Sequence, residues 1–179
     1  MKFDEAYHSV MQKLLFEDVG STIALLPGGF KPPHKGHFEV LKDMIGQSNA
    51  DYAVVFIGNG ERDGVTAEQS KEIWEIYQTH IDIPVKINIA PKTPVLSVYE
   101  FVDDNLGSKI FVGAGKEDQK RYAYFSKHPE KYSNVTVLAI EPKFDRISGT
   151  ETRRNLSDVN WMPDVVVQNA KSIHSILGV

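Results

Sequence analysis

The residues with the clearest chemical potential are two histidines, His34 and His37, which are separated by Lys35 and Gly36. They follow a stretch rich in glycine and proline that comes directly after an apolar segment over residues 22–26. A strand, a glycine-rich turn and a helix N-terminus can cradle an anion, because the first backbone N–H groups of a helix lack partners within the helix. Imidazole N–H groups there can donate to charge that develops on a phosphate. The pattern therefore predicts a nucleotide-phosphate site.

The turn before the histidines supplies further candidate ligands. Gly28, Gly29 and Phe30 form the turn, and Lys31 places a cation close to the histidines. Gly36 has no side chain, so a substrate can approach the backbone closely there. The alternative is a proline-rich turn that carries two incidental surface histidines. The position of this turn directly after a predicted strand favours the phosphate-binding interpretation.

A second group of polar residues lies over residues 147–154. Ser148 and Thr150 can offer hydroxyl groups and helix N-terminal N–H groups to phosphate oxygens. Arg153 stands three residues after Thr150, hence on the same helix face, where its guanidinium can bind a phosphate. The alternative is that Ser148 only caps a helix and that the arginine is solvated. The presence of both motifs in one chain favours phosphate binding.

A third candidate is the loop that follows the fourth predicted strand. Its Gly113, Gly115 and Asp118 are candidate nucleotide-binding residues, although a plain glycine turn followed by a helix cap explains them equally well. Neither the P-loop pattern nor the G-x-G-x-x-G dinucleotide pattern occurs in the sequence. Their absence weakens a dehydrogenase interpretation.

Composition and charge limit the class of protein. The 179 residues are 41% hydrophobic and 25% charged, without cysteine, which is typical of one globular domain and leaves no thiol for catalysis. The formal net charge of −4 argues against nucleic-acid binding. Two local basic stretches, residues 27–38 and 142–154, suit a small polyanion instead. No apolar run is long enough to span a membrane, so we expect a cytoplasmic protein.

The elements that must position these residues alternate along the chain. Strands are predicted at 23–26, 52–57, 85–89, 109–112 and 135–140, and helices at 36–45, 66–78, 95–105, 117–125, 148–156 and 170–177. This alternation predicts an α/β domain with a doubly wound, five-stranded parallel sheet and helices on both faces. We expect one domain over 1–179, with a leading helix in 1–20, a catalytic core over 22–156 and a C-terminal segment over 157–179. The loops 27–37, 58–65, 113–118 and 141–150 should converge at the carboxyl edge of the sheet.

The two motifs, in this order, resemble those of the H-x-G-H nucleotidyltransferase superfamily, and within it they are similar to nicotinamide mononucleotide adenylyltransferases. The resemblance implies a Rossmann-like sheet and an NTP, expected to be ATP, bound between the motifs with Mg²⁺ on its phosphates. It implies transfer of the nucleotidyl group to a small phosphorylated acceptor with release of pyrophosphate. The residues to which the resemblance assigns phosphate-binding roles are His34, His37, Ser148, Thr150 and Arg153, and Lys31 would help to hold the pyrophosphate.

Several alternatives stay open at this point. Nicotinamide mononucleotide, which would give NAD, is the first acceptor, phosphopantetheine the second, and a cytidylyltransferase that uses CTP is the third. A nucleotide-binding sensor without turnover is a further possibility, because Ser70 stands where many relatives have an arginine, for which Lys71 or Arg62 could substitute. Trp74 and Trp161 could stack on a base, but Trp74 lies on a predicted helix beside Ile73 and Ile76, so we expect it in the core. Assembly into a homo-oligomer is left open.

Overall fold

The computed structural model describes residues 20–144 and 147–179. The expected leading helix falls on residues 1–19, outside the described residues. None of the helices in the described ranges combines the length and the apolar character needed to cross a bilayer.

Five parallel strands form the sheet, and they are arranged in the order β3-β2-β1-β4-β5. The strands are β1 Thr22–Gly28, β2 Tyr52–Ile57, β3 Val85–Ile89, β4 Lys109–Gly115 and β5 Val135–Ile140. All six residues of β2 are buried, because helices cover both faces of the sheet. The predicted doubly wound parallel sheet is confirmed. Its strand order reverses between β1 and β4, where a ligand crevice is expected at the carboxyl edge.

Helices connect the strands at nearly the predicted positions. They are α1 Lys35–Ser48, α2 Ala67–Gln78, α3 Pro94–Asp104, α4 Ala123–Lys127, α5 Pro129–Tyr132, α6 Gly149–Arg154 and α7 Ala170–Leu177. The helix predicted over 117–125 is wrong in detail, because a 3₁₀ turn at Gln119–Tyr122 precedes α4. Pro129 then starts α5, since proline fits the first turn of a helix but not its interior.

Capping explains where two of these helices begin. At α2, the Thr66 hydroxyl accepts from the Gln69 N–H and the Gln69 side chain accepts from the Thr66 N–H, at 3.1 and 2.9 Å. At α6, the Ser148 hydroxyl accepts from the Glu151 N–H at 3.2 Å. The Glu151 carboxylate accepts from Nη1 of Arg154 at 2.9 Å.

Two hydrophobic clusters fill the space above and below the sheet. The C-terminal segment contributes to the first cluster through the buried side chains of Trp161, Met162, Val166 and Ile173. Trp74 is fully buried, so the expectation that it is a core residue is confirmed, and Trp161 is buried as well at 4% exposed.

Candidate active site

The carboxyl edge of the sheet holds a crevice of about 280 Å³ between β1 and β4. Its lining comes from Pro27, Gly28, Gly29, Gly58, Thr93, Pro94, Val95, Gly113, Ala114, Gly115, Asp118, Arg121, Tyr122 and Ile140. The expected convergence of the loops after β1, β2 and β4 is therefore confirmed. Sequence reasoning missed the loop after β3, although Thr93 and Pro94 form a typical helix start.

Phe30 closes one side of the turn after β1. Its φ is +51°, and its ring packs so closely over Gly28 that a Cβ there would come within 2.5 Å of the ring. The ring edge also contacts the rings of His37 and Trp74, with centroids 4.9 and 5.4 Å apart. Phe30 is only 6% exposed, so it positions the turn and His37 from within the core. Gly29, by contrast, has open space where a Cβ would stand.

His34 and His37 form a stacked pair at the start of α1. Their ring centroids are 3.7 Å apart with an angle of 22° between the ring planes. His37 Nδ1 accepts from the His34 backbone N–H at 3.2 Å, which fixes the tautomer of His37 with its proton on Nε2. The buried Nδ1 of His34 has no hydrogen-bond partner among the described residues. Buried polar atoms are normally paired, so an unpartnered nitrogen at this position is unusual.

Burial keeps both imidazoles neutral near pH 7. Removal from water lowers the pKa of His34 from 6.5 to about 4. The pKa of His37 is lowered well below its ordinary value, first by burial and then by the neighbouring His34. Neutral imidazoles can donate hydrogen bonds to phosphate without adding a fixed positive charge to the site.

Lys31 places its ammonium group where β1 and β2 end. Its Nζ donates to the carbonyl oxygens of Gly29 and Gly58 at 2.7 and 2.6 Å. Burial lowers the pKa of Lys31, and the nearby Glu68 carboxylate partly opposes that shift. An ammonium group carries three N–H donors, so one is left after these two hydrogen bonds.

Arg153 joins the second motif to the first across 122 positions of sequence. Its Nη1 donates to the Lys31 carbonyl at 2.9 Å, and its Nη2 donates to the Thr150 hydroxyl at 3.3 Å. The second contact confirms that Arg153 and Thr150 share a helix face. The side chain of Arg153 is only 7% exposed. The structure thus brings both motifs to one place, the turn after β1.

Asp63 is a residue of this cluster that sequence reasoning missed. Its carboxylate accepts from Nε of Arg153 at 2.5 Å. Asp63 and Gly64 both have positive φ, and Arg62 and Val65 on either side are paired by two backbone hydrogen bonds. An Asp-Gly pair is a strong signal for such a two-residue turn, but nothing in the sequence indicates that the turn faces Arg153.

The N-terminus of α1 is less open to an anion than its sequence suggests. The Lys35 backbone N–H donates to the Trp161 carbonyl at 2.8 Å, and the His37 N–H donates to the His34 carbonyl at 2.9 Å. The C-terminal segment therefore satisfies a donor that was expected to face a ligand. The Lys35 ammonium group lies 5.0 Å from the centre of the Phe144 ring, so the loop after β5 also contacts α1.

The remaining candidates divide between the two parts of the site. Ser148 and Thr150 are exposed at the start of α6, beside Arg153. Gly115 and Asp118 line the crevice, where Asp118 forms an ion pair with Arg121 at 3.1 Å.

Gly113 also lines the crevice, yet a Cβ there would come within 2.4 Å of the Met44 sulfur, so its main role is close packing. A Cβ at Gly36 would stand 3.0 Å from the His34 ring, so this glycine makes room for the histidine.

Ser70 and the two cations considered as substitutes for the absent arginine, Lys71 and Arg62, do not line the crevice. Ser70 is fully buried, and its hydroxyl donates to the Thr66 carbonyl at 2.9 Å. Lys71 pairs with Glu75 and lines a separate groove beside β3. Arg62 belongs to the turn that presents Asp63. Lys71 therefore does not take the place of the absent arginine at the crevice.

Comparison with solved structures identifies a similar fold in the crystal structure of a "Putative Nicotinate-nucleotide Adenylyltransferase" from Vibrio parahaemolyticus. The TM-score is 0.61 at 18% sequence identity, over 84% of this chain and 99% of the other. Neither protein-family models nor curated proteins match the sequence. The fold implied by the resemblance of the two motifs is thus confirmed.

Proposed function

We propose that this protein is a nucleotidyltransferase that transfers an adenylyl group from ATP to a small phosphorylated acceptor. The observation that carries the proposal is the contact of Arg153 with the Lys31 carbonyl, which joins the two phosphate-binding motifs beside the stacked histidines. The crevice at the switch point of the sheet continues from Gly29 and offers room for a mononucleotide. The name of the Vibrio parahaemolyticus protein, which has the same fold, is consistent with this reaction class.

In the proposed reaction an oxygen of the acceptor phosphate attacks the α-phosphorus of ATP. The bond between the α-phosphorus and its bridging oxygen breaks, and pyrophosphate leaves with the electron pair of that bond. The attacking phosphate is already an anion, so no strong base and no covalent enzyme intermediate are needed. Catalysis then consists of positioning and charge stabilisation.

The side chains of the cluster have separate roles in this proposal. His34 and His37 donate to oxygens of the α- and β-phosphates, and Lys31 and Arg153 hold the pyrophosphate with Thr150. Ser148 offers its hydroxyl group at the same helix start. The crevice lined by Gly113, Gly115 and Asp118 takes the nucleoside parts.

Mg²⁺ fits this site as a companion of the triphosphate. The described residues contain no group of three histidine, cysteine or acidic side chains that could enclose a metal ion. Mg²⁺ keeps much of its water and often binds through substrate phosphates, so such an enclosure is not required. The ion would neutralise charge on the phosphates, while the protein side chains orient them. Its presence stays a prediction.

For the acceptor we propose a pyridine mononucleotide, with nicotinamide mononucleotide first and NAD as its product. The supporting observation is the name of the Vibrio parahaemolyticus protein, which has the same fold. Phosphopantetheine and the CTP-dependent reactions are the alternatives. Incubation with each nucleoside triphosphate and each acceptor, followed by measurement of pyrophosphate release, distinguishes them.

The central test is the variant His37→Ala. Loss of one preorganised donor to a transition-state oxyanion typically lowers turnover by about 100- to 1000-fold, and we expect that loss here. His80→Ala, which removes a histidine at the end of α2, is the matched control. Turnover close to wild type in a folded His37→Ala protein would refute the assignment.

A sensor without turnover remains the second candidate, and one observation favours it. All three nitrogens of Arg153 already have partners within the protein. Under both proposals ATP raises the melting temperature, but only an enzyme releases pyrophosphate when an acceptor is added.

A further inference from the structure

Asp63 stands where a substrate anion would be expected. Arg153 has one carboxylate partner among the described residues, and it is Asp63. The other two partners of the guanidinium are neutral, the Lys31 carbonyl and the Thr150 hydroxyl. A carboxylate and a phosphate both present paired oxygens to a guanidinium group. The carboxylate therefore occupies a position that suits a phosphate.

The partners of Arg153 differ in how firmly they are held. The Lys31 carbonyl belongs to a buried residue three positions after the end of β1, and Thr150 lies on the same helix as Arg153. Asp63 instead lies at the tip of a two-residue turn, with 68% of its side chain exposed, whereas the Arg153 side chain is 7% exposed. Of the three partners, the Asp63 carboxylate is the one that can leave Arg153 and be hydrated with little loss of free energy.

We infer that Asp63 acts as an internal anion, which neutralises Arg153 when no substrate is bound and exchanges with a phosphate of the substrate. The inference rests on the proposed function, because it assumes that the cluster around Arg153 binds the triphosphate. Asp63 is a positioning residue in this scheme, since it acts through Arg153 and not on the reacting atoms.

The expected change in anion affinity on removal of the Asp63 charge follows from the exposure of this carboxylate. Exposed ion pairs contribute so little that their removal changes an equilibrium by about two- to five-fold. A polyphosphate with several negative charges displaces such a partner readily. Removal of the competing charge should thus tighten anion binding by about the same factor.

The substitution Asp63→Asn isolates that charge. Asparagine tolerates positive φ and is favoured at this place in a two-residue turn, so the turn should persist. The side chain keeps its shape and one oxygen acceptor. Glu61→Gln is the matched control, because Glu61 is exposed in the same loop and the change removes one negative charge without altering a partner of Arg153.

Titration calorimetry with inorganic pyrophosphate provides the direct test. We expect Asp63→Asn to bind pyrophosphate about two- to five-fold more tightly than wild type, and Glu61→Gln to bind it as wild type does. On an Arg153→Gln background the gain should vanish, since the effect acts through Arg153. In turnover, KM for ATP should fall while kcat does not rise, because pyrophosphate leaves more slowly.

Each other outcome overturns the inference in a recognisable way. Weaker pyrophosphate binding by Asp63→Asn would mean that the carboxylate only holds Arg153 in place. Unchanged binding, or an equal gain in Glu61→Gln, would remove the specific role of Asp63 while the proposed function stands. If the wild-type protein binds neither ATP nor pyrophosphate and releases no pyrophosphate, the proposed function fails and the inference fails with it.

Discussion

Acid should destabilise this protein through the stacked pair of His34 and His37. Burial lowers the pKa of His34 to about 4, against 6.5 for an ordinary histidine. Between these values the unfolded chain takes up a proton that the folded protein does not accept. The free energy of unfolding therefore has its full value above about pH 6.5 and falls as the pH decreases towards 4.

The size of this effect can be calculated for His34 alone. Values of 6.5 in the unfolded chain and about 4 in the folded protein give a loss of about 2 kcal/mol between about pH 7.5 and about pH 5. The lowered pKa of His37 adds a loss of the same sign. Carboxyl groups with ordinary pKa values near 4 contribute little above pH 5, so the histidines dominate this interval.

Urea unfolding followed by tryptophan fluorescence at a series of pH values measures the loss. The variant His34→Asn removes the titrating ring but keeps a residue type that caps helices well, so the slope against pH should flatten by about 2 kcal/mol over the same interval. His80→Asn controls for the loss of a histidine as such. A slope in His34→Asn equal to that of wild type would refute the conclusion that this imidazole is kept neutral by burial.

Two further predictions concern the turn after β1 and the anion that it is proposed to bind. Gly28→Ala should lower the free energy of unfolding by about 1–3 kcal/mol, because its Cβ would come within 2.5 Å of the Phe30 ring. Gly29→Ala should be as stable as wild type, because a Cβ there meets open space. Equal urea midpoints for the two variants would contradict this prediction. Pyrophosphate binding at about pH 5.5 should take up protons, because a bound anion raises the lowered pKa values of His34 and His37. Calorimetry in buffers of different ionisation enthalpy measures the uptake, and a binding enthalpy independent of buffer would contradict it.

Local patterns in the sequence predicted most of the fold. The apolar runs that became strands are short and bounded by glycine, proline or polar residues, and parallel strands buried on both faces require such runs. The start of α2 was readable because both Thr66 and Gln69 of its capping box are in the sequence. The 3₁₀ turn before α4 was not readable, because no residue type specifies it.

The candidate site could be predicted from the sequence only in part. Residue types and spacing pointed to His34, His37 and Arg153, and the structure places all three beside the turn after β1. The role of Phe30 as a buried support was not readable, since an aromatic residue in a glycine turn suits a ligand or a core equally well. The contact of Asp63 with Arg153 lay beyond sequence reasoning.

The sequence by itself determined the alternation of strands and helices and the residue types that could bind a phosphate, because both depend on neighbours within a few positions of the chain. Only the tertiary structure decided which groups face one another. Arg153 meets Lys31 and Asp63 because the strand order brings the loops after β1, β2 and β5 to one edge of the sheet. The lowered pKa values of the histidines likewise depend on burial by distant parts of the chain, which no local pattern encodes.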